Sequence, residues 1–244
     1  MTLDNWGILI TAVALILSVG IAAYFWRRQR SVSFVVMAWV IAAWLLSQIG
    51  FFQESGSFTD GDLIGFFAFG TLMTLPILGF IAVYMRNVAF RETVDAVPLP
   101  LLIGVQVYRV AGIIFLWMLA ESLVPPELGV STGIADISIG LAALPLAYAL
   151  TREWPGSRRA AIAWNVVGIA DFAIAISVVF LAVFSLINPQ PDPVMIGLHP
   201  LALIALFQVP ISIILHGLAL RRLLAMSTDY DQHVTLTTHK TLTS

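Results

Sequence analysis

The sequence predicts an all-α fold, a bundle of seven transmembrane helices. Three observations lead to this prediction. Hydrophobic residues make up 59% of the chain and charged residues only 11%, whereas soluble domains contain about 25% charged residues. Seven apolar stretches each approach the roughly 20 residues that a helix needs to cross a bilayer. The arginines fall in alternate connections, as in membrane proteins with a fixed orientation.

The predicted spans are joined by short polar connections, so we expect no separate soluble domain. We divide the chain into a transmembrane domain, residues 1–226, and a polar, threonine-rich cytoplasmic tail, residues 227–244, that we expect to be disordered. In chain order, the spans are predicted at residues 6–26, 32–52, 63–85, 99–122, 130–150, 161–186 and 199–220.

The charges of the connections predict the orientation. Basic residues accumulate on the cytoplasmic side of membrane proteins. Here arginines follow the first, third, fifth and seventh spans, whereas the other connections contain acidic residues and no lysine or arginine. We therefore expect the N-terminus outside and the C-terminus in the cytoplasm. The arginines in question are Arg27, Arg28, Arg30, Arg86, Arg91, Arg152, Arg158, Arg159, Arg221 and Arg222.

Arg109 lies near the middle of the fourth predicted span. A guanidinium at the centre of the hydrocarbon costs at least about 2.5–3.5 kcal/mol even on the gentlest insertion scale. Partners inside the bundle must therefore satisfy it. Asp136 on the fifth span and Asp171 on the sixth fall at similar depths. We expect Arg109 to be bound by Asp171, by Asp136 or by both, since opposite charges at close range keep both groups ionised.

Further polar residues are predicted to face the interior of the bundle. Gln106 shares a helix face with Arg109, and the seventh span has polar residues at i, i+4 and i+8 along one face. Their depths, at 1.5 Å per residue, predict two layers. The central layer contains Gln106, Arg109, Asp136, Asp171 and Gln208, and the layer nearer the cytoplasm contains Asn165, Ser212 and His216.

A structural role is the alternative for these residues. Buried ion pairs can fix the register of packed helices without taking part in chemistry. Gln208 and Ser212 can likewise be hydrogen-bond partners between helices. The sequence leaves open whether the cluster around Arg109 is a functional site or only fixes the packing of the helices.

Several kinds of site are excluded by what the sequence lacks. Lys240, in the tail, is the single lysine, so a retinal Schiff base within the membrane is excluded. The chain has no cysteine, which excludes thiolate metal sites and thiol catalysis. His199 and His216 lie on one predicted helix and cannot clamp one haem together. We expect no cofactor and no metal, and a net charge of -2 without a basic tract argues against nucleic acid as a partner.

Several motifs in the second half of the chain resemble those of a known family. They are Gly104-Val-Gln106-Val-Tyr108-Arg109, Gly133-Ile-Ala-Asp136-Ile, Ala163-Trp164-Asn165-Val-Val-Gly168-Ile, and Pro210 with His216. Over about residues 100–222 the chain resembles a family of small, uncharacterised bacterial multi-pass membrane proteins, whereas the first three spans look generic. The resemblance implies a multi-pass protein of the bacterial inner membrane and supplies no catalytic residues.

Three functions remain open. The first is small-solute or proton-linked transport or ligand binding, in which Arg109 binds an anionic group or a carboxylate while Asp136 and His216 relay protons. The second is a non-catalytic accessory or assembly subunit, with a structural cluster and with the first three spans facing lipid, a partner membrane protein or a second copy. The third, a membrane-embedded enzyme, is the weakest, because no nucleophile or metal constellation appears.

Overall fold

The computed structural model describes residues 3–48, 63–191 and 193–242, and these residues form helices and no strand. Seven helical stretches are long and apolar enough to cross a membrane, which confirms the predicted fold class; the orientation of the termini stays a prediction. The end of the second predicted span and the acidic loop after it lie outside the described residues. The spans are Trp6–Trp26, Arg30–Gln48, Gly65–Arg86, Leu99–Ala120, Pro126–Thr151, Ser157–Val183 and Ile204–Met226.

Two of the spans are not α-helical throughout. The fourth span contains a 3-10 helix, Val105–Gly112, between two short α-helices, and the seventh begins with a π-helix, Ile204–Gln208. A 3-10 turn, Pro193–Gly197, precedes the seventh span. The α-helices are α1 Leu3–Trp26, α2 Arg30–Gln48, α3 Leu63–Arg86, α4 Val88–Asp95, α5 Leu99–Gly104, α6 Ile113–Ala120, α7 Pro126–Thr151, α8 Ser157–Val183 and α9 Val209–Leu242.

The seventh span lies at the centre of the bundle. In its most apolar stretch 67% of the residues are buried inside the protein, against 6% in the span of α3. The π-helix and α9 together contact α1, α2, α3, α5 and α8. Gln208, Ser212 and His216 on this span therefore face protein, whereas α3 exposes apolar residues such as Leu78 and Met85.

Glycines allow α7 to pack closely along the fourth span. A Cβ added at Gly140 would lie 2.5 Å from the backbone nitrogen of Val110, and one at Gly133 would lie 2.7 Å from Cδ2 of Leu116. The two glycines are seven residues apart, so they share one face of the helix. Asp136 lies between them on that face and is thereby directed at the 3-10 helix.

A short helix that the sequence did not predict, α4, follows α3. Asn87 caps it by accepting a hydrogen bond from the backbone N–H of Phe90, at 3.0 Å. Arg222 on α9 donates to the carbonyl oxygens of Val94, at 2.7 Å, and of Val97. We call this end of the bundle the arginine face, and the end where α1 begins the N-terminal face.

The helix α9 extends to Leu242, so the backbone is helical through most of the tail that we expected to be disordered. A helix is compatible with the sequence of this segment, since residues 227–242 contain neither glycine nor proline to interrupt α9. The division of the chain into a membrane domain and a separate tail stays a prediction.

Candidate functional site

Arg109 is held by a stretch of backbone that departs from α-helical geometry. It lies in the 3-10 helix of the fourth span, where residues at i and i+3 share a face. The close approach of Gly140 to the backbone of Arg109 and Val110 presses α7 against this segment. Arg109 is 3% exposed, so protein groups and not water satisfy its charge.

Three side chains on three other spans accept hydrogen bonds from the guanidinium of Arg109. Its Nε donates to Oδ1 of Asp136 at 2.6 Å, and one terminal nitrogen donates to Oδ2 of Asp171 at 2.6 Å. The other terminal nitrogen donates to Nε2 of His216 at 2.9 Å. The guanidinium carbon lies 4.3 Å from the centre of the Phe172 ring. The expected pairing is therefore formed with both carboxylates.

The partners of His216 determine which of its nitrogens carries the proton. Arginine can only donate, so Nε2 must accept. Nδ1 lies 2.9 Å from Oδ1 of Asn165, whose amide nitrogen donates to the carbonyl oxygen of Ala161 at 2.7 Å. The amide oxygen therefore faces the imidazole, and Nδ1 carries the hydrogen. His216 is a neutral imidazole in this network, with both nitrogens engaged.

Close packing holds the imidazole of His216 in place. A Cβ added at Gly168 on α8 would overlap the imidazole ring, so only glycine leaves room for it at this position. The ring of Trp164 lies 4.9 Å from that of His216, and its indole N–H donates to the carbonyl oxygen of Ile139 at 3.1 Å. His216 and Asn165 are fully buried.

A second polar group joins the fourth span to the seventh. The hydroxyl of Tyr108 bonds the hydroxyl of Ser212 and donates to the carbonyl oxygen of Gln208 at 3.1 Å. The side-chain amide of Gln208 donates to the carbonyl oxygen of Ile10 on α1 at 3.3 Å. This group meets the π-helix, whose backbone hydrogen bonds are offset from the α-helical pattern.

A cavity of about 170 Å³ lies between these two polar groups and the N-terminal face. Its walls come from α1, α3, α6, α7, α8, α9, the 3-10 turn before the seventh span, the 3-10 helix of the fourth span and the π-helix, and they are mostly apolar. For scale, an engineered cavity of about 150 Å³ binds benzene. The polar residues along the wall are Tyr108, Arg109, Thr132, Asp136, Gln208 and Ser212.

The cavity divides the charged cluster into two parts. The side chain of Asp136 lines the cavity and is 13% exposed, whereas that of Asp171 is 3% exposed and lies away from it. His216 and Asn165 also lie on the far side, toward the arginine face. The part of the cluster that contains Asp171, His216 and Asn165 is thus enclosed by protein, whereas Asp136 can meet a bound molecule.

The structure brings together most of the predicted site residues, with changes in their partners. Asn165 and His216 meet, as their depths predicted, but His216 also joins the central layer through Arg109. Ser212 pairs with Tyr108, and Gln208 with the backbone of α1. Gln106 is fully buried, and neither atom of its amide finds a hydrogen-bond partner among the described residues.

Three residues of the site were missed by the sequence reasoning. Thr132 lies one turn before Asp136 on the same face of α7, and that spacing could have identified it. Phe172 follows Asp171 directly, but a phenylalanine in an apolar span gives no signal of its own. Tyr108 precedes Arg109 by one residue, which in an ideal α-helix places the two side chains about 100° apart.

His199 lies near the N-terminal face, before the seventh span, which begins at Ile204 and not at residue 199 as predicted. Its Nδ1 is 2.6 Å from the hydroxyl oxygen of Ser47, and its Nε2 is 2.9 Å from the amide nitrogen of Gln48. Burial lowers the pKa of the imidazole, so the neutral form prevails at neutral pH. These contacts fasten the end of α2 to the start of the last span, apart from the cavity.

No group of three or more metal-ligating side chains with suitable spacing occurs within residues 3–48, 63–191 and 193–242. In comparisons with known proteins, no curated protein and no solved structure matches the chain. A family described as a domain of unknown function, DUF8737, matches residues 66–224. The match includes the region of the expected resemblance and extends through most of α3, which looked generic. It covers more than half of the chain, and the protein therefore belongs to the DUF8737 family.

Proposed function

We propose that the protein binds a small solute inside the membrane and that this binding is a step in its transport. The observation that carries the proposal is the cavity of about 170 Å³ that ends on the Arg109–Asp136 ion pair. Pockets with apolar walls and a few convergent polar groups are the usual form of small-molecule sites. Ionisable residues inside a membrane are, in general, functional by default.

The two non-α segments support a transport role over a fixed binding site. Both the 3-10 helix and the π-helix contribute wall residues to the cavity. A 3-10 stretch inside a longer helix often marks a hinge, and π segments occur frequently at functional sites. Rearrangement of either segment would change the shape of the cavity and move Arg109, which lies in one of them.

In this proposal the enclosed part of the cluster lies behind the wall of the cavity and holds Arg109 in place. Asp171, His216 and Asn165 orient and neutralise Arg109 from the side of the arginine face. His216 has the role of a positioning residue, since both of its ring nitrogens are engaged. Of the two carboxylates, Asp136 is the one that lines the cavity and meets the solute.

The absence of cysteine from the chain permits a direct test. Ala175 lines the cavity, whereas Ala182, seven residues further along α8, is 5% exposed and does not. We expect a small neutral methanethiosulfonate reagent to modify an Ala175→Cys variant and to leave an Ala182→Cys variant unmodified. Equal protection of both cysteines in the folded protein would show that small molecules do not enter the cavity, and the proposal would then be wrong.

The second candidate function is an accessory subunit whose polar cluster only holds the helices together. The observation that favours it is the enclosed part of the cluster, where Arg109, Asp171, His216 and Asn165 satisfy one another. An Asp136→Asn variant separates the two candidates. Solute binding requires that this variant keep its fold and lose a solute-dependent signal, whereas a purely structural role predicts loss of fold alone.

A further inference from the structure

The cavity is lined by features that suit one class of ligand, a small organic cation with an apolar body. This inference rests on the proposed function and specifies its ligand. Two carboxylates and one guanidinium meet in the cluster, and the imidazole beside them is neutral. With both carboxylates ionised the cluster has one surplus negative charge. A buried charge without a partner is costly, so the site favours a further positive charge.

The geometry locates the surplus charge on the side of the cavity. Arg109 and Asp171 form an ion pair that is enclosed by protein, and both side chains are at most 3% exposed. Asp136 is the more exposed of the two carboxylates, at 13%, and it lines the cavity. Arg109 also lines the cavity, but one face of its guanidinium is covered by the Phe172 ring. An ammonium group in the cavity would meet Asp136 first.

A hydroxyl group beside Asp136 offers a second contact. Thr132 lies one turn before Asp136 on α7, is 6% exposed and lines the cavity. Its hydroxyl oxygen has no hydrogen-bond partner among the residues that the structure describes. A buried hydroxyl without a partner is unfavourable, because the lost hydrogen bonds to water are not replaced. An N–H donor in the cavity would supply that partner.

Aromatic rings complete a set of groups that stabilise cations. Cations are attracted to the faces of aromatic rings, and combinations of acidic and aromatic groups recognise ammonium ligands. The rings along the cavity wall are those of Phe66, Phe69, Tyr108, Phe115 and Phe172.

The cavity reaches the surface of the bundle at hydrocarbon depth, which explains why the ligand needs an apolar body. Ile176 on α8 lines the cavity and is 40% exposed, and Gly70 and Met73 on α3 line it opposite. Gly70 is seven residues from the start of α3, and Ile176 is seven residues from the end of α8. Both lie about 10 Å below the N-terminal face, at 1.5 Å per residue. A ligand that enters between α3 and α8 comes from the lipid.

We propose that the cavity binds a hydrophobic ammonium ion of about the size of a benzyl group, with its cationic head at Asp136 and Thr132 and its apolar body between α3 and α8.

Protection of a cavity cysteine tests the ligand class. The Ala175→Cys protein is placed in nanodiscs of zwitterionic phosphatidylcholine and treated with a neutral methanethiosulfonate reagent. Benzylammonium, benzyl alcohol and benzoate are compared as protecting ligands of matched size. We expect benzylammonium to slow modification about tenfold at concentrations where benzyl alcohol and benzoate have less than a twofold effect. Equal protection by benzyl alcohol would overturn the inference about charge and leave the proposed solute site intact.

The charge of the reagent provides an independent measurement. Aminoethyl methanethiosulfonate crosses lipid as the free amine and can be protonated beside Asp136, and its rate is compared with that of neutral methyl methanethiosulfonate after both are normalised to a free thiol. The amine reagent should modify Ala175→Cys about tenfold faster than the neutral one, because clefts of one charge raise the local concentration of the opposite charge. A rate ratio near one would contradict the surplus negative charge. This readout needs no change at Asp136, so it holds even if Asp136→Asn fails to fold.

Outright failure of labelling has a different meaning. If the neutral reagent also fails to modify Ala175→Cys, the cavity is closed and the proposed function is wrong together with its ligand. An Ile176→Trp variant, with Ile174→Trp as its control on the exposed face of the same helix, locates the entrance. Only the former should slow modification of Ala175→Cys. An equal effect of both variants would show that the reagent does not enter between α3 and α8.

Discussion

At the scale of single residues, the planar fork of the arginine side chain accounts for the geometry of the cluster. The guanidinium of Arg109 directs three nitrogens at acceptors on three different spans. A lysine ammonium is a point charge on a flexible stem and cannot reproduce this arrangement. The choice of arginine is therefore a consequence of how many spans must be joined at one point.

We expect Arg109→Lys to lower the free energy of unfolding by about 2–4 kcal/mol, since at least one charged hydrogen bond is lost and its acceptor stays buried. Denaturant or thermal unfolding of the detergent-solubilised protein measures this change. The same substitution at Arg159, which is exposed, serves as the control and should be nearly neutral. Equal effects at the two positions would show that Arg109 contributes charge alone.

The tautomer of His216 is a separate prediction at this scale. Nitrogen NMR of histidine-labelled protein at neutral pH should show a neutral imidazole with its hydrogen on Nδ1. Asn165→Leu removes the acceptor for this hydrogen and should cost about 1–3 kcal/mol, because a buried N–H then lacks a partner. The His216 resonance is assigned by its loss in a His216→Gln variant, and an Nε2-protonated form at that resonance would contradict the network as described.

At the scale of elements, apolar length predicted the seven spans but not their local geometry. Periodicity predicts a regular α-helix over the fourth span, whereas residues 105–112 form a 3-10 helix. The reason is tertiary, since Gly140 brings α7 against the backbone of Val110. The hydrophobic pattern of one span does not show which neighbouring helix will pack closely enough to change its backbone geometry.

Gly140→Ala tests this packing. The new methyl group would lie 2.5 Å from the backbone nitrogen of Val110, and backbone cannot move aside as a flexible side chain can. We expect a loss of stability of about 1–3 kcal/mol, typical of overpacking. Gly20→Ala is the matched control, because a Cβ there meets nothing within 4 Å. If both variants unfold at the same temperature or denaturant concentration, α7 and the fourth span are not in close contact.

The part of the candidate site that depends only on the depth of each residue in the membrane could be predicted from the sequence. Arg109, Asp136 and Asp171 were placed in one layer by counting residues, and they do meet. Thr132 could have been found from its spacing to Asp136, whereas Phe172 was missed because its role depends on the rotation of α8 about its axis. Average depth is fixed by the bilayer, whereas rotation is fixed by packing, which one sequence alone does not reveal.

At the scale of the whole molecule, the orientation of the bundle decides which side of the membrane the cavity faces. The arginine distribution predicts that the N-terminal face is external. We therefore expect green fluorescent protein fused to the C-terminus to fluoresce and alkaline phosphatase fused there to be inactive. The opposite pair of results would reverse the orientation and place the cavity in the cytoplasmic half of the bilayer.

The order in which the partners of Arg109 occur along the chain bears on biosynthesis. Asp136, Asp171 and His216 follow Arg109 by 27, 62 and 107 residues, each on a later span. The first partner to be synthesised is thus on the very next span, so the hairpin of the fourth and fifth spans can leave the translocon with its two opposite charges already paired. The free energy of moving Arg109 into lipid is then lower, because Arg109 enters together with Asp136 as a pair with no net charge. The later spans add Asp171 and His216 after this pair has been inserted.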